Sequence, residues 1–327
     1  MSILLNILIL LVGFIALIKG ADWFVDGSSG MAKIFRVPEV IIGLTIVAMG
    51  TSAPELAVSV SAGLQGSNEI AVSNVLGSNI FNLLMVLGVC SLFANVPVDK
   101  SIKKRDFPFS IVLTMLLLLF CGLGVLTSGE FWHTDMYANV GELGRAEGVI
   151  LLIVFVIYLL VLIKKAMDDR TKEDGNGIKR SLFQCIILLI IGVALIIIGG
   201  KAVVYGAKAI ARAAGMSETL IGLTIVAIGT SLPELVTSVV AAKKGENGLA
   251  VGNVVGSNIF NILLILGVSA ALHPIAVNMA SVYDMLLLLL CSIIGFLFAR
   301  SKDEISKKEG IIMILMYLAV MAFAIVR

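Results

Sequence analysis

Apolar stretches separated by short polar ones run along the whole chain. Ten are legible: about 3–20 (running on toward 30), 39–63, 70–94, 107–127, 147–165, 182–211, 217–242, 248–272, 281–299 and 309–326. Most approach or exceed the roughly 20 residues that an α-helix needs to cross the hydrocarbon layer. The pattern therefore predicts an all-α polytopic membrane protein with ten transmembrane helices. The first stretch lacks a basic leader and is too long for a signal peptide, so it reads as a membrane helix. The one long polar break, KKAMDDRTKEDGNGIKR at 164–180, reads as a linker.

The two sides of that linker are copies of each other. Residues 13–88 align with 192–267 at a constant offset of 179. Over 39–88 against 218–267, 32 of 50 positions are identical. GLTIVAMGTSAPEL becomes GLTIVAIGTSLPEL, and SNVLGSNIFNLLMVLG becomes GNVVGSNIFNILLILG. Such self-similarity is an internal duplication. The chain divides into a first five-helix repeat (1–165), a short linker (166–181) and a second repeat (182–327). Five is odd, so the second copy enters the membrane from the opposite side, the inverted-repeat plan of many secondary transporters.

Composition agrees and adds an orientation. Of 327 residues, 59% are hydrophobic and 14% charged, with mean hydropathy +1.07. Soluble domains carry about 25% charged residues. A net charge of +2 gives no nucleic-acid footprint. Eighteen Lys and Arg fall on the face of the linker, including Lys33, Lys100, Lys103, Lys104, Lys243, Lys244 and Arg300, against four on the other face. The positive-inside rule then puts the linker in the cytoplasm and both termini outside. Cys90, Cys121, Cys185 and Cys291 lie in apolar runs without metal or disulfide spacing, and read as packing residues.

Against this background two carboxylates stand out. Glu55 and Glu234 fall near the middle of the second and seventh helices, whose cores hold no Lys or Arg to pair with. Ionisable groups at membrane depth are functional candidates by default. Pro54 and Pro233 break the helix beside them and release the carbonyls of Gly50 and Gly229. Such carbonyls are tolerated only where they line a cavity or bind something. Thr51 and Ser52 share a face with Glu55, as Thr230 and Ser231 do with Glu234. Polar stripes Asn74, Ser78, Asn82 and Asn253, Ser257, Asn261 recur at i, i+4, i+8 in the third and eighth helices. Gly77 and Gly256 let neighbouring helices approach. Taken alone these stripes fit interhelical hydrogen bonding equally well; beside the two Glu they read as a ligand cage. The resulting site is all oxygen, which suits hard cations such as Ca²⁺ and also Na⁺, not Zn²⁺ or Cu. One set of oxygens that holds either one Ca²⁺ or several monovalent ions supplies the competition that exchange requires.

These motifs, GTSAPE (50–55) with SNVLGSNIFN (73–82) and GTSLPE (229–234) with GNVVGSNIFN (252–261), resemble the two alpha repeats of the cation/Ca²⁺ exchanger superfamily, close to its compact prokaryotic Na⁺/Ca²⁺ exchangers. The resemblance implies a Ca²⁺/Na⁺ antiporter, not an enzyme, with transported ions in place of a cofactor. Glu55 and Glu234 would be bidentate Ca²⁺ ligands, helped by the carbonyls of Thr51 and Thr230. Sodium sites would use Ala48, Ser52 and Ser78 on one side and Ala227, Ser231 and Ser257 on the other, with Asn82 and Asn261 completing the centre. The first and sixth helices would form a bundle that slides past the site. The short linker leaves no room for the large regulatory domain of animal members. Na⁺-coupled relatives often have Asp at one of the positions filled here by Asn82 and Asn261, so an H⁺-coupled Ca²⁺ or divalent-cation antiporter remains the alternative. Either would sit in the cell membrane with the lipid bilayer as its surroundings, without nucleic acid or an obligate protein partner. A passive channel or a structural membrane protein explains the paired carboxylates less well.

Other polar residues are read more plainly. Asp22 and Asp26 are interface or vestibule residues, and His133 and His273 belong to surface loops. Segment 128–147, with Trp132 and Tyr137, is an interfacial anchor. Residues 302–309 are a solvated charge run. Protease and nucleotide-binding patterns are lacking.

Overall fold

A computed structural model describes residues 3–64, 68–128, 136, 139–168, 180–215 and 227–326. The chain is a mostly helical polytopic membrane protein. Among the described residues, seven helices are long and apolar enough to cross a membrane, or eight if a bent pair is one span. The helices are α1 (Ile3–Phe35), α2 (Glu39–Thr51), α3 (Ala53–Leu64), α4 (Asn68–Ile80, continuing through Phe81–Val86 and Leu87–Phe93), α5 (Phe107–Ser128) and α6 (Arg145–Asp168). They are followed by α7 (Leu182–Ala213), α8 (Ala227–Thr230), α9 (Leu232–Lys243), α10 (Asn247–Leu272), α11 (Met279–Ser301) and α12 (Lys307–Val326).

The chain buries polarity and exposes apolar surface. Along α6, Ile153, Val156, Ile157 and Leu160 face outward, while Glu55, Glu234, Asn82, Asn253 and Asn261 are fully buried. A soluble protein does the reverse. In a bilayer the solvent is hydrocarbon, and every buried polar group must find its partner within the protein.

Helix α1 runs well past the expected end near residue 30. It stops where Arg36 takes a left-handed conformation (φ 56°) and Val37 N donates to Ala32 O (3.0 Å), just ahead of Pro38. The glycines inside α1 do not break it, because they are contact points with α7. Gly13, Gly20 and Gly27 sit seven residues apart, as do Gly192, Gly199 and Gly206. A methyl group on Gly20 would lie 2.8 Å from Gly192 O, and one on Gly199 would lie 2.6 Å from Leu17 N. Gly13 meets the backbone near Val203 and Gly27 meets it near Cys185, so the two helices run antiparallel with their backbones touching. Gly256 makes a similar approach to Leu44 and Ala48; for Gly77 no described residue lies within 4 Å.

The fold is mostly helical, with one addition to the expected helices. Two short antiparallel pairs tie helix ends together: β1 (Val96–Pro97) with β4 (Glu304–Ile305), and β2 (Asn139–Leu143) with β3 (Ile275–Asn278). Their backbone groups leave a helix at its end and still need partners, which a pleated pair provides. Residues 302–309 are thus part strand and part helix start rather than a free charge run. Strand β2 occupies part of segment 128–147; Trp132, His133 and Tyr137 lie outside the described residues. The four cysteines are free and buried.

The α1–α7 seam makes a specific prediction. Gly199→Ala should destabilise the detergent-solubilised protein by about 1–3 kcal/mol, since backbone must move. Gly200→Ala, whose new methyl would meet only side chains at 3.7 and 3.9 Å, should change stability by less than about 0.5 kcal/mol. Thermal denaturation of both variants checks the contrast.

Candidate functional site

The site forms where two broken helices meet two polar ones. Pro54 cannot donate to Gly50, and the span bends by 49° between Glu39–Thr51 and Ala53–Ala62. Ser52 marks the break with φ −81° and ψ 7°. Ser231 takes the corresponding conformation in the second copy, φ −94° and ψ 6°. Each break places a Glu at the first turn of the helix that follows, α3 or α9. A helix N-terminus carries partial positive charge and spare N–H groups, which favours a carboxylate there.

The copies then exchange partners. Ser52 Oγ donates to Glu234 Oε1 at 2.8 Å, and Ser231 Oγ donates to Glu55 Oε1 at 3.2 Å. Each carboxylate is held by the serine of the other copy. Ser231 also lies 3.0 Å from Ser78 Oγ, and Thr51 Oγ1 lies 2.9 Å from Asn253 Oδ1. All of these residues are fully buried or nearly so.

The polar stripes divide into two kinds of residue. Asn74 Nδ2 donates to Ser59 Oγ at 3.0 Å, and Asn253 Nδ2 to Ser238 Oγ at 2.9 Å. Both lie 3.4–3.5 Å from the backbone carbonyl of a site glutamate, Glu55 O or Glu234 O. They position the Glu-bearing helices. Ser78, Asn82, Ser257 and Asn261 lie further along the same helices and are buried. Asn261 Nδ2 donates to Ser78 Oγ (3.2 Å) and Asn79 Oδ1 (2.9 Å). At Asn82 and Asn261 both helices widen into a π-helical segment, Phe81–Val86 and Asn261–Leu266. Such segments free backbone groups and recur at functional sites.

Sequence reasoning missed one symmetric pair. Asn79 Nδ2 donates to Asn258 O (3.2 Å), and Asn258 Nδ2 donates to Asn79 O (3.1 Å). These bonds lock the two copies together directly beneath the site. Both residues are in the doubled GSNIFN motif, which is the signal that could have found them. A strict i, i+4 stripe passes over them because they lie one residue beside it.

Several buried polar atoms find no hydrogen-bond partner among the described residues: Glu55 Oε2, Glu234 Oε2, both side-chain polar atoms of Asn82, Asn261 Oδ1 and Ser257 Oγ. Five of these six are oxygens. Buried polar atoms normally have partners, and each orphan calls for an explanation. A hard cation that takes oxygen ligands satisfies such a set. The site thus links Glu55, Glu234, Thr51, Ser52, Ser78, Ser231 and Asn261 by hydrogen bonds, while Asn82 and Ser257 are buried on the same two polar helices with atoms unpartnered among the described residues. Ala48 is buried on the helix beneath Thr51. Ala227 begins α8, and its side chain lies outside what is described.

The surroundings are lopsided. A cavity of about 750 Å³ runs between α3 and α7, from Lys208 and Ser61 down to Thr230, Gly229 and Pro233. Thr230 is therefore half-exposed while Thr51 is fully buried. On the linker side, α1 is strapped down instead. Lys244 Nζ lies 2.6 Å from both Asp22 Oδ1 and Asp26 Oδ1, and Arg180 reaches Asp26 Oδ2 at 2.8 Å. Ser29 Oγ donates to Glu246 Oε1 at 2.7 Å. Asp22 and Asp26 thus stand in a vestibule clasp, away from the central oxygens. His273 is exposed.

The sequence profile of the sodium/calcium exchanger protein family matches residues 5–164 and 185–326. The chain belongs to the sodium/calcium exchanger family. It is similar to the sodium/calcium exchanger MaX1 of Methanosarcina acetivorans, at 36% identity over 97% of each chain. It is also similar to the putative antiporter CaxA of Alkalimonas amylolytica, at 38% identity over 94% of this chain and 95% of that protein. Its fold matches a solved structure of the sodium-calcium exchanger NCX_Mj, soaked with 2.5 mM Na⁺ and 0.1 mM Ca²⁺, with a TM-score of 0.81 and 33% identity over 98% of this chain and 99% of that one. Membership makes this a multi-pass membrane antiporter of the compact prokaryotic kind, a transporter rather than an enzyme.

The crossed asparagines yield the next prediction. Asn79→Leu removes donors to Asn258 O and an acceptor for Asn261 Nδ2, leaving buried groups unpaired. It should cost about 1–3 kcal/mol of stability, read as a lowered melting temperature in detergent.

Proposed function

We propose that this chain exchanges Ca²⁺ for Na⁺ across the cell membrane by alternating access. The observation that carries the reading is the pair of fully buried carboxylates, Glu55 and Glu234, each steadied by one oxygen and left with the other free. Two carboxylates balance one divalent cation, and the surrounding carbonyl, hydroxyl and amide oxygens can complete a flexible cage of six to eight ligands. Glu55 and Glu234 take Ca²⁺ with the carbonyls of Thr51 and Thr230. Ala48, Ser52, Ser78 and Asn82, with Ala227, Ser231, Ser257 and Asn261, serve Na⁺ or are shared. Both ions claim the same oxygens, so one leaves when the other binds.

The same reading takes the chain as ten spans in two inverted repeats, 1–165 and 182–327, with 166–181 as a cytoplasmic linker and both termini outside. The antiparallel crossing of Gly13–Gly27 with its copy Gly192–Gly206 supports the inversion, since copies of one segment run in opposite directions. Helices α1 and α7 slide over the fixed centre along their glycine seam. In the present conformation the cavity beside Thr230 is the outer entrance, and the Asp22–Asp26–Lys244 clasp keeps the cytoplasmic one shut. The reading needs no cofactor or protein partner, only the ions and the bilayer.

The test is calcium uptake into proteoliposomes loaded with Na⁺ and diluted into Na⁺-free buffer. Uptake should follow the Na⁺ gradient, and Glu55→Gln and Glu234→Gln should each lower it by about 100-fold or more, as expected for removing one partner of a buried charge set. Uptake indifferent to Na⁺ but driven by a pH gradient would replace Na⁺ by H⁺. Full activity in either variant would refute the central site.

A further inference from the structure

A second site lies away from the ion centre, at the end of α5 and α11. A cavity of about 640 Å³ is lined by Lys100, Lys103, Lys104, Pro108, Phe296, Arg300 and Asp303. We propose that this pocket binds the headgroup phosphate of an anionic phospholipid, with the acyl chains running along the outer face of α5 and α11.

The charge count comes first. Four cations line the cavity against one carboxylate. Asp303, 71% exposed at the rim, is paired with Lys103, whose side chain is only 10% exposed and lies at the inner wall. The Lys103 ammonium, with Lys100 behind it, holds the Asp303 carboxyl below its usual range and keeps it ionised. Neighbouring carboxylates are engaged elsewhere. Asp106 accepts from Arg105 and from Tyr158, Glu304 accepts from Asn95, and Asp99 accepts from Ser101 N. Lys100, Lys104 and Arg300 are exposed at the mouth and converge from two separate elements.

The pocket also has an apolar side. Pro108 and Phe296 form part of the wall, and Phe296 is braced by Phe107 at 5.6 Å between ring centroids. Below them Val112 and Met115 on α5, and Ile293 and Leu297 on α11, are exposed on the membrane-facing surface. A cationic pocket continuous with an apolar track matches an amphiphile with a negative head. Basic pockets between membrane helices on the cytoplasmic side bind such headgroups.

The duplication supplies an internal control. Carried past the aligned stretch, the same offset of 179 sets Met279, Val282 and Tyr283 against Lys100, Lys103 and Lys104. The fold therefore does not demand cations at this place; one end of the molecule has them and the other does not. Assigning the lipid to the cytoplasmic leaflet rests on the orientation proposed above. Binding itself does not, so the experiment is done in detergent, independent of transport.

The full-length protein is titrated with dioleoyl phosphatidylglycerol, and separately with dioleoyl phosphatidylcholine, and bound lipid is counted by native mass spectrometry. Phosphatidylglycerol should be retained at least about fivefold more tightly. The variant Lys100→Gln/Lys104→Gln/Arg300→Gln should lose that preference, whereas Lys100→Arg/Lys104→Arg should keep it. A melting temperature matching the parent confirms that the triple variant is folded, and the single variants, read the same way, replace it if it is not. Equal retention of the two lipids by the parent protein, or an undiminished preference in the Gln variants, overturns the site. Complete displacement of phosphatidylglycerol by 10 mM inorganic phosphate makes it a soluble-anion site and overturns the lipid assignment.

Discussion

The rest of the structure depends on the cost of holding two carboxylates where a bilayer offers no water. An ionised carboxylate in hydrocarbon loses many kcal/mol of hydration. Glu55 and Glu234 survive because each begins a helix after a proline break and each accepts a hydroxyl from the other copy. Those serines can reach only if the two broken helices meet face to face, which the Asn79–Asn258 cross-bonds enforce. Close approach in turn needs small residues, and the glycines at 43, 252 and 256 are in backbone contact across this junction. Polar core, helix breaks and glycine contacts are consequences of one electrostatic requirement.

Two closely related copies have settled into two different environments. Thr51 is buried and hydrogen-bonded toward Asn253, while Thr230 looks into the cavity. Asn261 is anchored on Ser78 and Asn79, whereas both polar ends of its counterpart Asn82 are left without partners among the described residues. Sequence identity cannot produce that difference; the position of α1 and α7 over the core can. On the exchange reading, the two environments change places when the α1–α7 pair moves, so each half of the repeat holds a record of the state opposite to the one it occupies. A duplicated sequence suits this because the two end states then have similar energies, and ions bias a balance of only a few kcal/mol.

What the sequence revealed and what it hid divide along the range of the interactions. The membrane-spanning helical character, the proline breaks and the paired glutamates are local and periodic, and were legible at once. The serine-to-opposite-glutamate exchange was half legible: Ser52 and Ser231 were marked as site residues, but as neighbours of their own Glu rather than of the other. Asn79 and Asn258 escaped because their partners are backbone carbonyls 179 residues away, and no spacing rule reports that. The glycine heptads were written openly in the chain, yet glycine inside a helix reads as a weakness until its contact is seen. The strand pairs β1–β4 and β2–β3 were illegible because runs of two to five residues have no pattern of their own. The clasp of Asp22 and Asp26 on Lys244 joins charges more than 200 positions apart.

The charge of the site also constrains which states can move. With Asn at both 82 and 261, the two glutamates are the only formal charges at the centre among the described residues, and together they carry −2 when ionised. Closing hydrocarbon-lined walls over a bare −2 site leaves it with neither water nor counter-ion, which is the most expensive arrangement available. One Ca²⁺, or two monovalent cations, brings the enclosed charge to zero. The loaded states are then far cheaper to enclose than the empty one. An exchanger must suppress the movement of its empty form, since that movement would let each ion run down its own gradient alone. Here the suppression requires no separate gate: it follows from placing two carboxylates at the middle of a membrane with no balancing Lys or Arg among the described residues.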